Sequence, residues 1–173
     1  ALSSDLIITT AGVSVGEYDI VKKVMMDMGR LELWSVRMKP GKPFAFGIMG
    51  ERKVPLLGLP GYPVSTIISF EVFARPVILK MMGKKAPEKP KIKAISKSNI
   101  KNKDGRRVFA RVYLEREGDR WFATLSGHQG SGNLSSLVRA SGLMIIPEDV
   151  PEVREGDEVN VEIMEEEWLF SYT

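Results

Sequence analysis

The spacing of hydrophobic residues changes along the 173-residue chain, from mainly helical spacing in the first half to strict alternation in much of the second. A short apolar run, residues 6–10, ends in a glycine-containing loop, which is typical of a buried strand in a parallel sheet. The next segment predicts an amphipathic helix that Gly29 ends. The apolar face of this helix consists of Ile20, Val21, Val24, Met25 and Met28.

Residues 31–61 predict extended structure, with a turn at the letters GERK, residues 50–53. Pro63 then suits the first position of a second helix. This helix is apolar nearly all round, so we expect it to be buried. We also expect a bend near Pro76, because proline removes one backbone hydrogen bond, and an end at Gly83.

The stretch GKKAPEKPK, residues 83–91, combines glycine, two prolines and four lysines, a composition typical of a domain boundary. Beyond it, RVFARVYLER and EVNVEIM alternate with period two, EGDR predicts a hairpin turn, and NLSSLVRASG predicts a short helix ended by Gly142. The sequence therefore predicts an α/β domain in residues 1–83, a linker in 84–91 and a small all-β domain in 92–173.

Composition narrows the chemistry. The chain contains no cysteine, which excludes a disulfide framework and a thiol nucleophile and fits a reducing cytoplasm. We find neither a membrane-spanning apolar run nor a leader, so we expect a cytoplasmic protein without a membrane partner. A basic block in residues 80–107 and an acidic block in 148–167 are interpreted as neighbouring strands that neutralise each other, not as a nucleic-acid surface.

Two glycine-rich loops stand at strand-to-helix junctions, TTAGVSVGEYD and GLPGYPVS. Helix N-termini offer free backbone N–H groups, and glycine lets them approach an oxyanion, so both loops favour a phosphate or a similar anion. Between them, MKPGKPFAFG places Lys39 and Lys42 on a proline-stiffened turn that suits a dianion. Ser14 is interpreted as a hydroxyl donor to the bound anion.

Two alternatives accompany this interpretation. The spacing from Gly12 to Gly16 also fits a hydrolase nucleophile elbow at Ser14, but that reaction needs a histidine, and the single His128 lies in a turn sequence, SGHQGSG. The second concerns Asp19, which either satisfies the dipole at the start of a helix or, together with Glu17, holds Mg²⁺ beside a phosphate.

Four motifs in order, DLIITTAGVSVGEYD, MKPGKPFAFG, GLPGYPVS and GSGNLSSLVRASGLMIIP, resemble those of the molybdopterin molybdenumtransferase (MoeA) family, which includes the E domain of gephyrin. The resemblance covers essentially the whole chain and favours the anion-binding loop. It implies a partial α/β molybdopterin-binding domain of the MogA-like type, followed by a small all-β, barrel-like C-terminal domain.

The resemblance also implies an enzyme of molybdenum cofactor synthesis that uses Mg²⁺, inserts molybdate into adenylylated molybdopterin and releases AMP. Asp19 and Lys42 are then the expected catalytic residues, and Asp19 and Glu17 the metal ligands. The expected ligand-binding residues are Gly12, Ser14, Gly16, Lys39, Lys42, Pro43, Ser65, Arg111 and Ser131. A homodimer and a molybdopterin adenylyltransferase partner are implied as well.

The sequence departs from the family pattern in three respects. Ala11 stands where the family usually has glycine, and alanine makes a positive φ unfavourable. Tyr62 replaces an asparagine. The chain is also much shorter than family members, so we expect a C-terminal portion or a short relative. A non-catalytic scaffold or binding module on the same fold, as in receptor clustering by gephyrin, is the alternative function.

Overall fold

The structure is a computed structural model that describes residues 3–11, 20–85 and 88–164. The chain forms two compact units. The α/β unit comprises Ala1–Val36 and Pro40–Pro87, and the barrel unit comprises Arg37–Lys39 and Glu88–Thr173. The division after Pro87 falls inside the predicted linker, while the exact limits of the predicted domains stay a prediction.

The described residues form twelve strands and four helices. The strands are β1 (Ile7–Thr10), β2 (Gly29–Ser35), β3 (Met38–Lys39), β4 (Pro43–Met49), β5 (Val54–Leu59), β6 (Lys91–Ser96), β7 (Ile100–Lys101), β8 (Arg107–Glu117), β9 (Arg120–Leu125), β10 (Gly142–Ile146), β11 (Glu152–Val153) and β12 (Glu158–Ile163). The helices are α1 (Ile20–Met28), α2 (Pro63–Ser69), α3 (Arg75–Met81) and α4 (Leu134–Val138), with a π-helical turn, Phe70–Ala74, between α2 and α3.

The α/β unit is built on a four-stranded mixed sheet in the order β1-β5-β4-β2. β1 and β5 are parallel, as the predicted strand–loop–helix segment requires, and the other pairs are antiparallel. Helix α1 covers one face through Met25, which packs against Met49 and Leu56. The extended structure predicted for residues 31–61 is confirmed as β2 to β5.

Helix α1 is confirmed, but its buried face is narrower than predicted. Met25 is buried, whereas Val24 and Met28 are exposed, because only one row of its described side chains reaches the small sheet. The helix ends before Gly29, as predicted, and β2 begins there at once. A Cβ atom at Gly29 would collide with the carbonyl oxygen of Ile48, so the close pairing of β2 with β4 at this position requires glycine.

The second helix begins at Pro63, as predicted, and its regular hydrogen bonding is interrupted before Pro76. The Arg75 N–H donates to the carbonyl of Phe70, five residues back, which makes the π-helical turn. Burial is confined to the part before Pro76; no residue of α3 is buried, so the prediction of an entirely buried helix is wrong there. Among the described residues, no helix has the length and apolarity to cross a membrane.

The barrel unit confirms the predicted all-β domain. Five strands follow one another in the order β10-β12-β6-β9-β8, and the pairing of β8 with β10 closes them into a barrel. Its interior is filled by apolar side chains from every strand, among them Ala94, Val112, Ala123, Met144 and Val161. β3 adds to the edge of β8, and β7 pairs with β11 outside the barrel.

Three local predictions can be compared with the barrel unit. The hairpin turn between β8 and β9 is confirmed. So is the mutual neutralisation of the charge blocks: β6 and β12 are antiparallel neighbours, with Lys93 Nζ 2.6 Å from Glu158 Oε1. The short helix α4 exists but ends at Val138. Gly142 instead begins β10, opposite Ile163 of β12, so its predicted role as a helix end is wrong.

Candidate functional site

One described residue from each of the three motifs predicted to bind anions, Thr10, Leu59 and Pro43, lies at one edge of the α/β sheet. The last residues of β1 and β5, Thr10 and Leu59, are paired in parallel, so the loops that follow them begin side by side. β4 is antiparallel to β5, with Ala45 opposite Gly58, so its start at Pro43 lies at this edge too. We call this the loop edge, and it is the edge at which parallel α/β sheets bind ligands.

The first residue after β1 contacts the loop after β5. The Ala11 N–H donates to the Leu59 carbonyl at 3.0 Å, and a Cβ atom added to Gly61 would lie 3.1 Å from the Ala11 Cβ. Ala11 adopts a φ of 73°, which confirms the predicted penalty for alanine at this position. Ala11 and Gly61 are therefore in close contact, with little room for a larger side chain at residue 61.

The junction between β5 and α2 is fixed by a residue that the motif analysis did not single out. The Thr66 hydroxyl donates to the Tyr62 carbonyl at 3.0 Å and also bonds the carbonyl of Pro60. The first intrahelical bond joins the Thr66 N–H to Tyr62 at 2.8 Å, so the amides of Val64 and Ser65 precede it. In the sequence, a threonine three residues after the first proline of the helix is the signal for these hydrogen bonds.

Side chains at this junction differ in access. Ser65 is buried in the first helical turn, 5% exposed, whereas Tyr62 is 67% exposed. The phenol that replaces the usual asparagine therefore points to the outside of the loop. Ser65 is held within the packed start of α2, where its rotamer is restricted by its neighbours.

The two lysines of the MKPGKP turn belong to different units. Lys42 is exposed in the α/β unit, next to Pro43 at the loop edge, and its carbonyl accepts a hydrogen bond from the Val36 N–H at 2.9 Å. Lys39 lies in β3 of the barrel unit, where its Nζ is 3.8 Å from Asp104 Oδ2. Their joint contact with one dianion stays a prediction.

Five predicted site residues lie outside the described residues: Gly12, Ser14, Gly16, Glu17 and Asp19. The proposed magnesium ligands are among them. Within residues 3–11, 20–85 and 88–164, no group of three histidine, cysteine, aspartate or glutamate side chains is placed to hold a metal ion. The described part of the chain therefore supplies no second candidate for the metal site.

Arg111 organises a loop of the barrel unit. Its guanidinium is fully buried, with Nε donating to Ser136 Oγ at 3.1 Å and Nη2 to the carbonyls of His128 and Gly130 at 3.2 Å. Gln129 returns to the Arg111 backbone, accepting from its N–H and donating to its carbonyl. Burial lowers the pKa of Arg111. This arrangement favours a supporting role over the direct ligand contact expected from the sequence.

The loop that Arg111 holds carries Ser131, which is half-buried. A Cβ atom at the next residue, Gly132, would meet nothing within 4 Å, so the backbone there is open to approach. Asn133 then caps α4, its Oδ1 accepting from the Ser136 N–H at 3.3 Å. Ser131 thus stands in a braced loop with open space beside it.

The position of His128 argues against a hydrolase. Its Nδ1 accepts a hydrogen bond from the Gly130 N–H at 3.1 Å, so it braces its own turn. A catalytic triad needs this nitrogen to donate to an acid. The interpretation of His128 as a turn residue is confirmed, and the nucleophile elbow at Ser14 lacks the base that it requires.

Comparison with known proteins agrees with this combination of an α/β unit and a closed barrel. A family model described as "Probable molybdopterin binding domain" matches residues 1–80, and one described as "MoeA C-terminal region (domain IV)" matches residues 93–164. The chain belongs to the MoeA family. The resemblance seen in the sequence and the predicted fold class are thereby confirmed.

Individual relatives support the same assignment. The chain is 36% identical over 162 residues to a molybdopterin molybdenumtransferase of Haemophilus influenzae and 37% identical over 168 residues to molybdopterin molybdenumtransferase 2 of Mycobacterium tuberculosis. These matches cover 92% and 93% of this chain but only 39% and 40% of the relatives. A crystal structure of a Pyrococcus molybdopterin biosynthesis MoeA protein superposes with a TM-score of 0.75 at 29% identity, over 95% of this chain and 38% of that one.

Proposed function

We propose that this chain is the molybdopterin-binding and C-terminal part of a molybdopterin molybdenumtransferase, which inserts molybdate into adenylylated molybdopterin and releases AMP. Relatives that carry this name match nearly all of the chain. The observation that carries the proposal is the loop edge, where β1 and β5 end and β4 begins, next to Lys42, on one side of a single sheet.

The loop edge offers the groups that a tetrahedral dianion needs. Lys42 supplies a positive charge, and the amides of Val64 and Ser65 stand at the start of α2 before its first backbone bond. Each charge-assisted hydrogen bond of this kind contributes about 1.5–3 kcal/mol. In this proposal Lys42 is a catalytic residue that neutralises the molybdate oxygens, and Lys39 and Pro43 complete the same turn.

The loop after β1 is assigned the pterin phosphate. Gly12 and Gly16 would let the backbone approach it, and Ser14 would donate a hydrogen bond. Asp19, with Glu17, would hold Mg²⁺, which when bound neutralises charge on the nucleotide phosphate that leaves. These assignments rest on the sequence and on the position of Ala11, which begins this loop beside Leu59.

The other assignments follow from the resemblance. Ser65 is proposed to contact the ligand from the start of α2, and Ser131 from its braced loop, with Arg111 as the support of that loop. We further propose a cytoplasmic homodimer that receives its pterin substrate from a molybdopterin adenylyltransferase. All substrates in this scheme are small molecules.

Equilibrium dialysis against adenylylated molybdopterin tests the proposal, with the retained ligand measured by pterin fluorescence. The parent chain should retain the ligand saturably. Gly61→Val should weaken retention about tenfold or more, because a Cβ at this residue already meets Ala11 at 3.1 Å and a branched side chain pushes the two loops apart. Lys80→Ala, on the exposed surface of α3, is the control and should bind like the parent. Absence of saturable retention by the parent contradicts the proposal.

A further inference from the structure

Four cationic side chains gather where β3 meets the start of β8 in the barrel unit. Arg37 and Lys39 come from β3 and the residue before it, and Arg106 and Arg107 from the start of β8. The strands are parallel, with Met38 opposite Arg107, so all four lie within about one residue of paired positions. We call Arg37, Lys39, Arg106 and Arg107 the basic cluster.

Two carboxylates serve these four cations. Asp104 Oδ2 bonds Arg106 Nε at 3.0 Å and lies 3.8 Å from Lys39 Nζ. Glu148 Oε2 lies 3.2 Å from Arg107 Nη2. The Nη2 of Arg37 donates to a neutral group, the Gly105 carbonyl, at 2.8 Å. Two of the four positive charges are therefore left without a compensating carboxylate in the cluster itself.

The neighbouring cations contribute to lowered pKa values of both carboxyl groups. The hydrogen bond from Arg106 lowers the pKa of Asp104, and the charge of Lys39 adds to the effect. The pKa of Glu148 is lowered first by its own backbone amide and then by Arg107 and Arg37. Both carboxylates therefore stay ionised at neutral pH and remain paired with these cations.

The backbone beneath the cluster is braced by Asn102. Its Nδ2 donates to the carbonyl of Arg106 at 2.9 Å and to those of Pro147 and Val150 at 3.2 Å. The Asn102 N–H donates to the carbonyl of Pro151 at 2.8 Å. These bonds join the loop that carries Asp104 and Arg106 to the loop that carries Glu148. The charged groups consequently stand on a preorganised base, which lowers the entropy lost when a ligand binds.

Access to solvent is retained at the charged ends. The side chains of Lys39 and Arg107 are 52% and 51% exposed, and that of Arg106 is 28% exposed. An arginine fork can bond two oxygens of a phosphate at once, which a hydrated lysine does less well. Two groups of cations, one around Asp104 and one around Glu148, suit two neighbouring anionic groups better than one.

We propose that the basic cluster binds a diphosphate ester, or another ligand with two linked anionic groups. The inference rests on the barrel unit alone. It shares Lys39 with the proposed function, whose adenylylated pterin is itself a diphosphate ester, but it does not require that molybdate binds beside Lys42. Neither Arg106 nor Arg107 was singled out by the sequence motifs, since the basic block that contains them extends evenly over many lysines.

Titration of the 173-residue chain with inorganic pyrophosphate tests this inference, by calorimetry at low and at moderate salt. The test variant is Arg106→Gln with Arg107→Gln. The control is Arg116→Gln with Arg120→Gln, which removes the same charge at the far end of β8, about 30 Å along the strand. The parent should bind pyrophosphate more tightly than phosphate, the test variant about tenfold or more weakly, and the control within about twofold of the parent.

A further variant and a second ligand make each outcome informative. Arg106→Lys with Arg107→Lys keeps the charge and the fold but removes both forks, so its affinity should fall between those of the parent and the glutamine variant. Equal losses in the test and control pairs would overturn the inference, as would equal affinity of the parent for phosphate and pyrophosphate. Molybdate titrations of the same proteins separate the two proposals. A parent chain that binds molybdate but binds pyrophosphate no more tightly than phosphate refutes only the basic cluster.

Discussion

Ala11, at the loop edge, adopts a backbone conformation that its methyl group makes unfavourable. Its φ of 73° is a conformation that glycine adopts freely and that other residues adopt at a cost of about 1–2 kcal/mol. The conformation lets the Ala11 N–H reach Leu59 while the chain turns away from β1. The departure from the family pattern is thus a strain that the structure places directly at the candidate site.

Ala11→Gly should therefore stabilise the α/β unit by about 1 kcal/mol, because it relieves the positive φ. Urea unfolding followed by the fluorescence of Trp34 measures the change. Ala74→Gly is the control, since Ala74 has an ordinary helical φ of −73° and its replacement should cost about 1 kcal/mol. Destabilisation by Ala11→Gly would show that the left-handed conformation is not populated.

Arg111 gives a second prediction at this scale. Arg111→Gln removes a buried group that serves Ser136, His128 and Gly130, so the barrel unit should lose about 3 kcal/mol of its unfolding free energy. Proteolysis within residues 127–132 should accelerate in parallel. Arg116→Gln, on the exposed end of the same strand, should change stability by less than about 0.5 kcal/mol. A tolerated Arg111→Gln would mean that the loop is braced by other contacts.

At the scale of elements, hydrophobic periodicity predicted the secondary structure of each segment better than it predicted which side chains are buried. Strand β1, helix α1, the start of α2 at Pro63 and the alternating strands of the barrel follow from local spacing, and they are confirmed. The exposed Val24 and the unburied α3 were not predicted, because burial depends on neighbours that a single sequence does not identify. The position of the ends of β1 and β5 and the start of β4 at one edge likewise depends on strand order.

Gly29 tests the packing of two elements. Gly29→Ala would place a methyl group against the Ile48 carbonyl, where the neighbour is backbone and cannot rotate away. We expect a loss of about 2 kcal/mol or more in the α/β unit, because the β2–β4 pair must separate. Trp34 lies in β2 and its emission should shift, while Trp121 reports an unchanged barrel. An unaltered unfolding midpoint would contradict the register of β2 and β4.

At the scale of the whole molecule, the net charge of +3 conceals an uneven distribution of charged residues. The acidic and basic blocks pair between β6 and β12, and the excess of positive charge is left at the basic cluster. The sequence predicted the pairing of the blocks but not the location of the excess. That location depends on β3 joining β8, a contact between segments almost seventy residues apart.

The lowered pKa of Asp104 predicts how acid affects the barrel unit. Because the folded pKa lies below the ordinary value of 3.8, Asp104 contributes stability that is complete at neutral pH and is lost as the pH falls through the folded pKa. Asp104→Asn should therefore flatten the acid limb of the stability curve and leave little difference at the lowest pH. Unfolding midpoints of both proteins across the acid range measure this effect. A parallel shift at every pH would contradict it.

The central proposal is that Lys39 and Lys42 of the MKPGKP turn bind a tetrahedral dianion. Calorimetric titration with molybdate, of the parent, Lys39→Ala, Lys42→Ala and the double variant, tests it most directly. Each single change should weaken binding about tenfold, because it removes one charge-assisted contact, and the double variant should lose most of the affinity and its salt dependence. Lys80→Ala should match the parent. A double variant that binds molybdate like the parent at low salt would contradict the account.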